Sequence, residues 1–240
     1  MVEFADSKWS CAEAAAEFVE NADHYIVERR RLLDLARSAY CHFVRHGGRG
    51  ARVLDLGSGD GALAHELLRA DGTIEATLVD ASVEMLGHAR RRLRAYPNVE
   101  FVRRSFQELL GDPGALPSYD MVVSALAIHH LDRGAKKALF AYVRDHLNHS
   151  GQFVNVDVVR APEASLEQWY LELWGEWIRA HALGGELRQS FEHIPDQYKA
   201  NPDNVPDSLD EQLAALRAVG FRDVDCYYKY GLFAVFGGRK

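Results

Sequence analysis

The stretch VLDLGSGDG, residues 53–61, decides how this chain is read. Ala51 to Leu56 is a short apolar run that ends in Gly57-Ser58-Gly59-Asp60-Gly61, and Ala62 to Ala70 then puts Leu63, Leu67 and Leu68 on one helical face. Strand, tight loop and helix follow directly. Glycines in such a loop let the backbone turn sharply and let a ligand approach without meeting a Cβ, while the next helix offers free N–H groups. Asp80 closes the following apolar run roughly twenty residues on, where a carboxylate accepts hydrogen bonds from both hydroxyls of a ribose. Loop and acid together describe a nucleoside site. The loop alone does not choose the nucleoside, because Gly57-x-Gly59-x-x-Ala62 also satisfies the dinucleotide fingerprint and keeps NAD as a rival.

Working outward, the same alternation repeats. Strands are expected at Ile74 to Val79, Val99 to Val102, Tyr119 to Leu126 and Gln152 to Val159. Helices are expected from Ser82 to Ala95, with Met85, Ala89 and Leu93 on one stripe, and from the cap Asp132 through Leu147. Repeated βα units imply an α/β fold around a mostly parallel, doubly wound sheet. Before the first strand, Ser10 to about His46 reads as a helical cap ended by Gly47-Gly48. After Pro162 the rhythm changes to a Trp- and Tyr-rich helix from Leu166 to about Ala182, then a polar, proline-bearing segment to Pro206. A helix from Ser208 to Val219, stopped by Gly220, leads to two strand-like runs, Phe221 to Tyr228 and Leu232 to Phe236, which predict a closing hairpin. The organisation expected is one domain over residues 1–240, with a cap at 1–48 and a helical insertion at 160–206.

Composition narrows the partners. The chain has 240 residues, 48% hydrophobic and 26% charged, the balance of an ordinary globular domain with a sizeable core. A net charge of -7 argues against a strongly basic nucleic-acid binder, and the tract Arg90-Arg91-Arg92 with Arg94, near Arg103-Arg104, reads as the polar side of a surface helix. Cys11, Cys41 and Cys226 lie far apart and form no metal or disulfide pattern, and His42 with His46 lacks a third ligand, so no metal is expected. No leader-like or membrane-length apolar run occurs, which together with the cysteines predicts a cytoplasmic setting.

At this point the chain resembles the class I S-adenosylmethionine-dependent methyltransferases, whose first motif has an acid two residues before the first glycine, here Asp55. The likeness continues through LVDASVEML at 78–86, YDMVVSALAIHHL at 119–131 and LNHSGQFVNVDVV at 147–159. The resemblance implies a seven-stranded sheet with an antiparallel last strand, which the expected hairpin suits and an all-parallel dinucleotide domain does not. It implies S-adenosylmethionine as cofactor, S-adenosylhomocysteine as product, and a cofactor site built from Asp55, Gly57, Ser58, Gly59, Asp80, Ala81, Met85, Ser105, Phe106, Ser124 and Ala125. Ser105-Phe106 stands where many members have an acid for the adenine amino group, so a Ser hydroxyl, a backbone amide and the Phe face are expected to serve instead.

The acceptor side rests on fewer residues. His129 and His130 follow the fourth strand, at the edge where ligands of open α/β sheets bind, and Asp157 is a carboxylate in an otherwise Val-rich strand, expensive to bury without a partner. His129 and Asp157 are the catalytic candidates, Asp157 as a group that orients an acceptor or His129; the alternative is packing or helix capping for the histidine, and a hydrogen bond to nearby backbone or a solvated strand end for the aspartate. Trp169, Tyr170, Trp174 and Trp177 recur at helical spacing and wall either a pocket for a flat acceptor or the core. Tyr25 and Arg29, one turn apart, either reach the cofactor's methionine end or face solvent. The function expected is methyl transfer to O or N of a small organic acceptor. Modification of tRNA wobble uridine with a carboxylated S-adenosylmethionine, and a cofactor-binding module without catalysis, are the alternatives.

Overall fold

The computed structural model describes residues 7–45, 50–181 and 191–240, with only the backbone of Lys8 and Ala115. Seven strands form one sheet: β1 (Arg52–Leu56), β2 (Glu75–Asp80), β3 (Val99–Arg103), β4 (Tyr119–Ala125), β5 (Leu147–Val158), β6 (Arg222–Tyr230) and β7 (Phe233–Arg239). Their spatial order is β3-β2-β1-β4-β5-β7-β6. The first five are parallel, and β7 inserts antiparallel between β5 and β6, in register Val156↔Val235. The order reverses between β1 and β4, which opens a crevice at the carboxyl ends of those two strands.

Alternation along each strand divides the core in two. Val53, Met121, Val123, Val154 and Val156 face α1 (Ala12–Tyr25), α2 (Arg29–Ala39), α3 (Ala62–Ala70) and α4 (Val83–Arg92). Leu54, Leu56, Val122 and Phe153 face α5 (Phe106–Gly111), α6 (Arg133–His146) and the helix α9 (Leu209–Ala218). The inner strands are buried on both faces, as parallel strands covered by helices must be. The insertion supplies α7 (Ala164–His181) and α8 (Ile194–Ala200), and Trp174 and Ile178 of α7 join the first of the two cores.

Several expectations are corrected. The cap is two helices rather than one pattern: the chain breaks at Ile26–Glu28, with Glu28 in the left-handed region at φ 51°, because burying Ile26 and Val27 requires a change of direction. The end of that pattern, at His46, Gly47 and Gly48, lies outside the described residues. Helix α5 was not expected, although Ser105 and Glu108 close a complete capping box around its first turn. Helix α8 sits in the polar, proline-bearing part of the insertion; Pro195 occupies its first turn, where a missing N–H costs nothing. Strand β5 begins at Leu147, earlier than Gln152, with Ser150 at φ 65° marking the irregular start. Among the described residues no helix is long and apolar enough to cross a membrane.

Candidate active site

The carboxyl ends of β1, β2 and β4 border a cleft that opens to solvent. Gly57, Gly59, Asp80, Ala81, Met85, Ser105, Phe106 and Ala125 line it, together with Trp9, Phe18, Arg104 and His130. Gly57 has φ 63°, and a Cβ there would stand 2.4 Å from the Ala127 Cβ, so both conformation and space demand glycine. Gly59, at φ 52°, has no atom within 4 Å of its would-be Cβ; its main chain is open to a ligand lying across it. The Gly59 N–H donates to Asp80 Oδ2 at 2.8 Å and the Ser82 N–H to Asp80 Oδ1 at 2.8 Å, so the loop and the head of α4 hold this carboxylate in place. Burial raises its pKa above the ordinary carboxylate range, against the pull of those amides. Each oxygen keeps a lone pair for a ribose hydroxyl.

At the adenine end, the Ser105 N–H donates to Glu108 Oε2 at 2.7 Å and the Ser105 hydroxyl accepts from the Glu108 N–H at 3.2 Å, so the capping box occupies the amide and leaves the hydroxyl its own O–H and a second lone pair. Phe106 stands over Gly57, its Cζ 3.2 Å from the would-be Cβ, and remains the flat surface available to a base. Ser124 is fully buried and donates to the Leu56 carbonyl at 2.7 Å, stitching β4 to β1 behind the cleft. Asp55 is 1% exposed, and among the described residues neither oxygen has a partner in full hydrogen-bond geometry, the Ala64 amide acting on it only weakly. Burial, with Asp80 and Asp60 nearby and only the Ala64 amide acting the other way, pushes its carboxyl up to about 8. Ser58 lines a smaller recess that continues the cleft past Gly59.

The two catalytic candidates do meet. His129, in a helical turn after β4, places Nδ1 2.6 Å from Asp157 Oδ1, and both are buried. Asp157 also accepts from Asn155 Nδ2 at 3.3 Å and the Val158 N–H at 2.9 Å. Such a contact requires Nδ1–H on the histidine, which leaves Nε2 as the basic nitrogen. The His129 ring neighbours His130 at 4.0 Å and Tyr198 of α8 at 6.2 Å, and does not line the cleft itself. The Tyr198 hydroxyl and Asn155 Oδ1 are buried without hydrogen-bond partners among the described residues, and burial, then the Asp157 charge, raises the tyrosine pKa.

His130, by contrast, is occupied at both nitrogens: the Trp9 indole N–H donates to Nε2 at 3.0 Å, and Nδ1 donates to the Asp203 carbonyl at 3.0 Å. It ties the N-terminal segment to the return of the insertion. The aromatic stripe divides likewise. Trp174 is buried, donates to the Tyr25 carbonyl at 2.6 Å and meets Phe233 and Tyr198 edge-on, whereas Trp169 is half exposed. Sequence reading missed Lys136, 2% exposed, whose ammonium donates to the Val205 carbonyl at 2.5 Å and pairs with Asp207 at 3.1 Å. Together with the Val205 N–H, which donates to the His129 carbonyl at 3.0 Å, it holds the returning insertion against the turn that carries His129.

Residues 53–151 match the family described as a methyltransferase domain. That stretch runs from β1 into β5, and the fold around it is the one seen in solved methyltransferases that use S-adenosylmethionine. In sequence, this chain is similar to a carboxy-S-adenosyl-L-methionine synthase of Nautilia profundicola, 20% identical over 187 residues, covering 77% of this chain and 75% of the relative. In structure it is similar to an O-methyltransferase family protein from Burkholderia thailandensis, with TM-score 0.67, 13% identity, and coverage of 98% of this chain and 62% of that one. It is also similar to human N-acetylserotonin methyltransferase, solved in complex with SAM, with TM-score 0.62, 17% identity and coverage of 98% and 59%. The chain thus spans about three fifths of the solved structures it matches. The residues fit the cofactor: an open glycine main chain, a ribose-ready Asp80 and an aromatic face at Phe106 line one continuous cleft.

Proposed function

We propose that this methyltransferase transfers a methyl group to oxygen or nitrogen of a small organic acceptor, with the His129–Asp157 pair receiving the proton that the acceptor releases. The observation that carries the reading is the buried 2.6 Å contact between His129 Nδ1 and Asp157 Oδ1 beside two unsatisfied polar groups, the Tyr198 hydroxyl and Asn155 Oδ1. Buried polar atoms without partners are uncommon in native structures, and an acceptor's polar groups would supply the missing bonds. S-adenosylmethionine, when bound, supplies a sulfonium methyl group open to in-line displacement. Asp157 fixes the histidine tautomer and steadies the charge that protonation at Nε2 creates. The cap and insertion helices exclude water and hold the acceptor, as proximity catalysis requires.

The test is transfer of labelled methyl from S-adenosylmethionine to a panel of phenols, carboxylic acids and amines. His129→Ala is expected to lower kcat about 100-fold or more and Asp157→Asn about 10-fold or more, both with unchanged affinity for S-adenosylhomocysteine. Full turnover by both variants on an acceptor that the native enzyme methylates removes the assignment; cofactor binding with no transfer to any acceptor supports a module without catalysis.

A second reading takes its support from the breadth of the match to a carboxy-S-adenosyl-L-methionine synthase: a carboxylated cofactor, with tRNA as the eventual substrate. Against tRNA, three of the arginines in the basic tract are already engaged. Arg92 binds Asp60, Arg104 binds Asp112 at 3.1 Å, and Arg90 lies 4.4 Å over the Phe101 ring. Mass spectrometry of the cofactor that copurifies separates the two readings by the added carboxyl group.

A further inference from the structure

Resting on the reading of this chain as a methyltransferase for a small organic acceptor, we infer that the acceptor carries a positive charge and that Asp203 determines this specificity. Trp9, in the helical turn Lys8–Ser10, and Phe18 of α1 have ring centroids 5.2 Å apart and an interplanar angle of 89°. Both line the cleft, as do His130, Leu131 and Asp203. These residues lie outside the glycine loop and the ends of β2 and β3, which take the nucleoside, so the space they border falls to the second substrate.

The unbalanced charges at this end share one sign. The main chain of Asp203 is fixed: its carbonyl accepts from His130 Nδ1 at 3.0 Å and its N–H donates to Asn201 Oδ1 at 3.0 Å, while Asn204 Nδ2 donates to the Tyr198 carbonyl at 2.8 Å. Its carboxylate has no partner among the described residues. Asp157 is buried nearby, beneath His129. The cations that could offset these carboxylates are spent elsewhere: Lys136 on Asp207, Lys199 on Glu167, Arg160 on Glu211, and Arg104, which lines the cleft itself, on Asp112. Arg29 borders the smaller recess past Gly59 and pairs with Asp23 at 2.6 Å. An anionic acceptor would meet like charge here. An ammonium group gains instead from the Asp203 carboxylate and from two aromatic rings, whose faces attract cations. Because the loop that carries Asp203 is already held in place, little ordering cost opposes that gain.

Three phenols that share a ring and differ in side-chain charge test this: tyramine, 4-ethylphenol and 4-hydroxyphenylacetate, each titrated calorimetrically into the whole chain saturated with S-adenosylhomocysteine. Tyramine is expected to bind at least about 10-fold more tightly than 4-ethylphenol, with 4-hydroxyphenylacetate weakest. Asp203→Asn should bring tyramine to within about 2-fold of 4-ethylphenol, and Phe18→Leu should weaken tyramine about 3- to 10-fold, more than it weakens 4-ethylphenol. Affinity for S-adenosylhomocysteine reports whether each variant is folded. Tyramine bound no more tightly than 4-ethylphenol, binding by none of the three, or a tyramine affinity untouched by Asp203→Asn overturns the assignment. So does a loss of S-adenosylmethionine affinity in Asp203→Asn that S-adenosylhomocysteine does not share, because the carboxylate would then serve the sulfonium charge of the cofactor. These outcomes leave methyl transfer standing; that reading falls if native protein transfers labelled methyl to none of the phenols, carboxylic acids and amines.

Discussion

Asp55→Asn gives the most discriminating test of the electrostatics beneath the glycine loop. The carboxyl is 1% exposed, has no partner in full hydrogen-bond geometry among the described residues, and is pushed up to about 8 from 3.8, first by burial. Between those values the folded chain holds a proton that the unfolded chain releases, so stability is greatest at or below pH 3.8 as far as this group is concerned and falls as pH rises. Each unit is worth about 1.4 kcal/mol, and about three units separate the unfolded value from neutrality, so Asp55 costs about 4 kcal/mol at pH 7. Asparagine keeps the shape and removes the titration. Urea unfolding of native and Asp55→Asn proteins, without cofactor, at pH 5 and pH 8 should show the variant gaining stability relative to native by about 4 kcal/mol across that interval; all other groups cancel in the difference. A relative stability that does not change with pH refutes the reasoning, because it would place the ionised carboxylate comfortably in the fold.

Two further outcomes follow from the packing around the site. Lys136→Met is expected to cost about 3 kcal/mol, since it leaves the Val205 carbonyl and Asp207 short of a donor, and to lower Tm by about 6–10 °C while raising the acceptor KM more than it weakens S-adenosylhomocysteine; an unchanged melting curve contradicts it. Gly57→Ala should cost about 2 kcal/mol or more, from φ 63° and the 2.4 Å approach to the Ala127 Cβ, and calorimetry should show cofactor affinity reduced at least about 10-fold. Native-like affinity there would mean that the loop yields more easily than its geometry implies.

Much of this was legible in the order of residues, because period and spacing are local properties. The apolar runs, the glycine loop with Asp80, and the Gly220 stop before two further strands predict a parallel sheet closed by a hairpin, and β7 lies antiparallel beside β5. His129 and Asp157 were legible as candidates, with Asp157 open to orienting either an acceptor or His129; the choice of the 2.6 Å contact depends on β4 and β5 being neighbours in a sheet whose strand order is set by long-range packing. Helix α5 was legible in Ser105-x-x-Glu108 and overlooked, and the same capping box then takes the Ser105 amide while leaving the hydroxyl a donor. Arg29 shows the limit most clearly. In sequence it stands one turn from Tyr25 and reads either as reaching the cofactor's methionine end or as facing solvent beside Arg30 and Arg31, and nothing local decides between the two. Only the left-handed turn at Glu28 and the docking of α2 beside α3 and β5 bring its guanidinium next to Ser58 and Asp60, because burial and charge pairing depend on which elements meet.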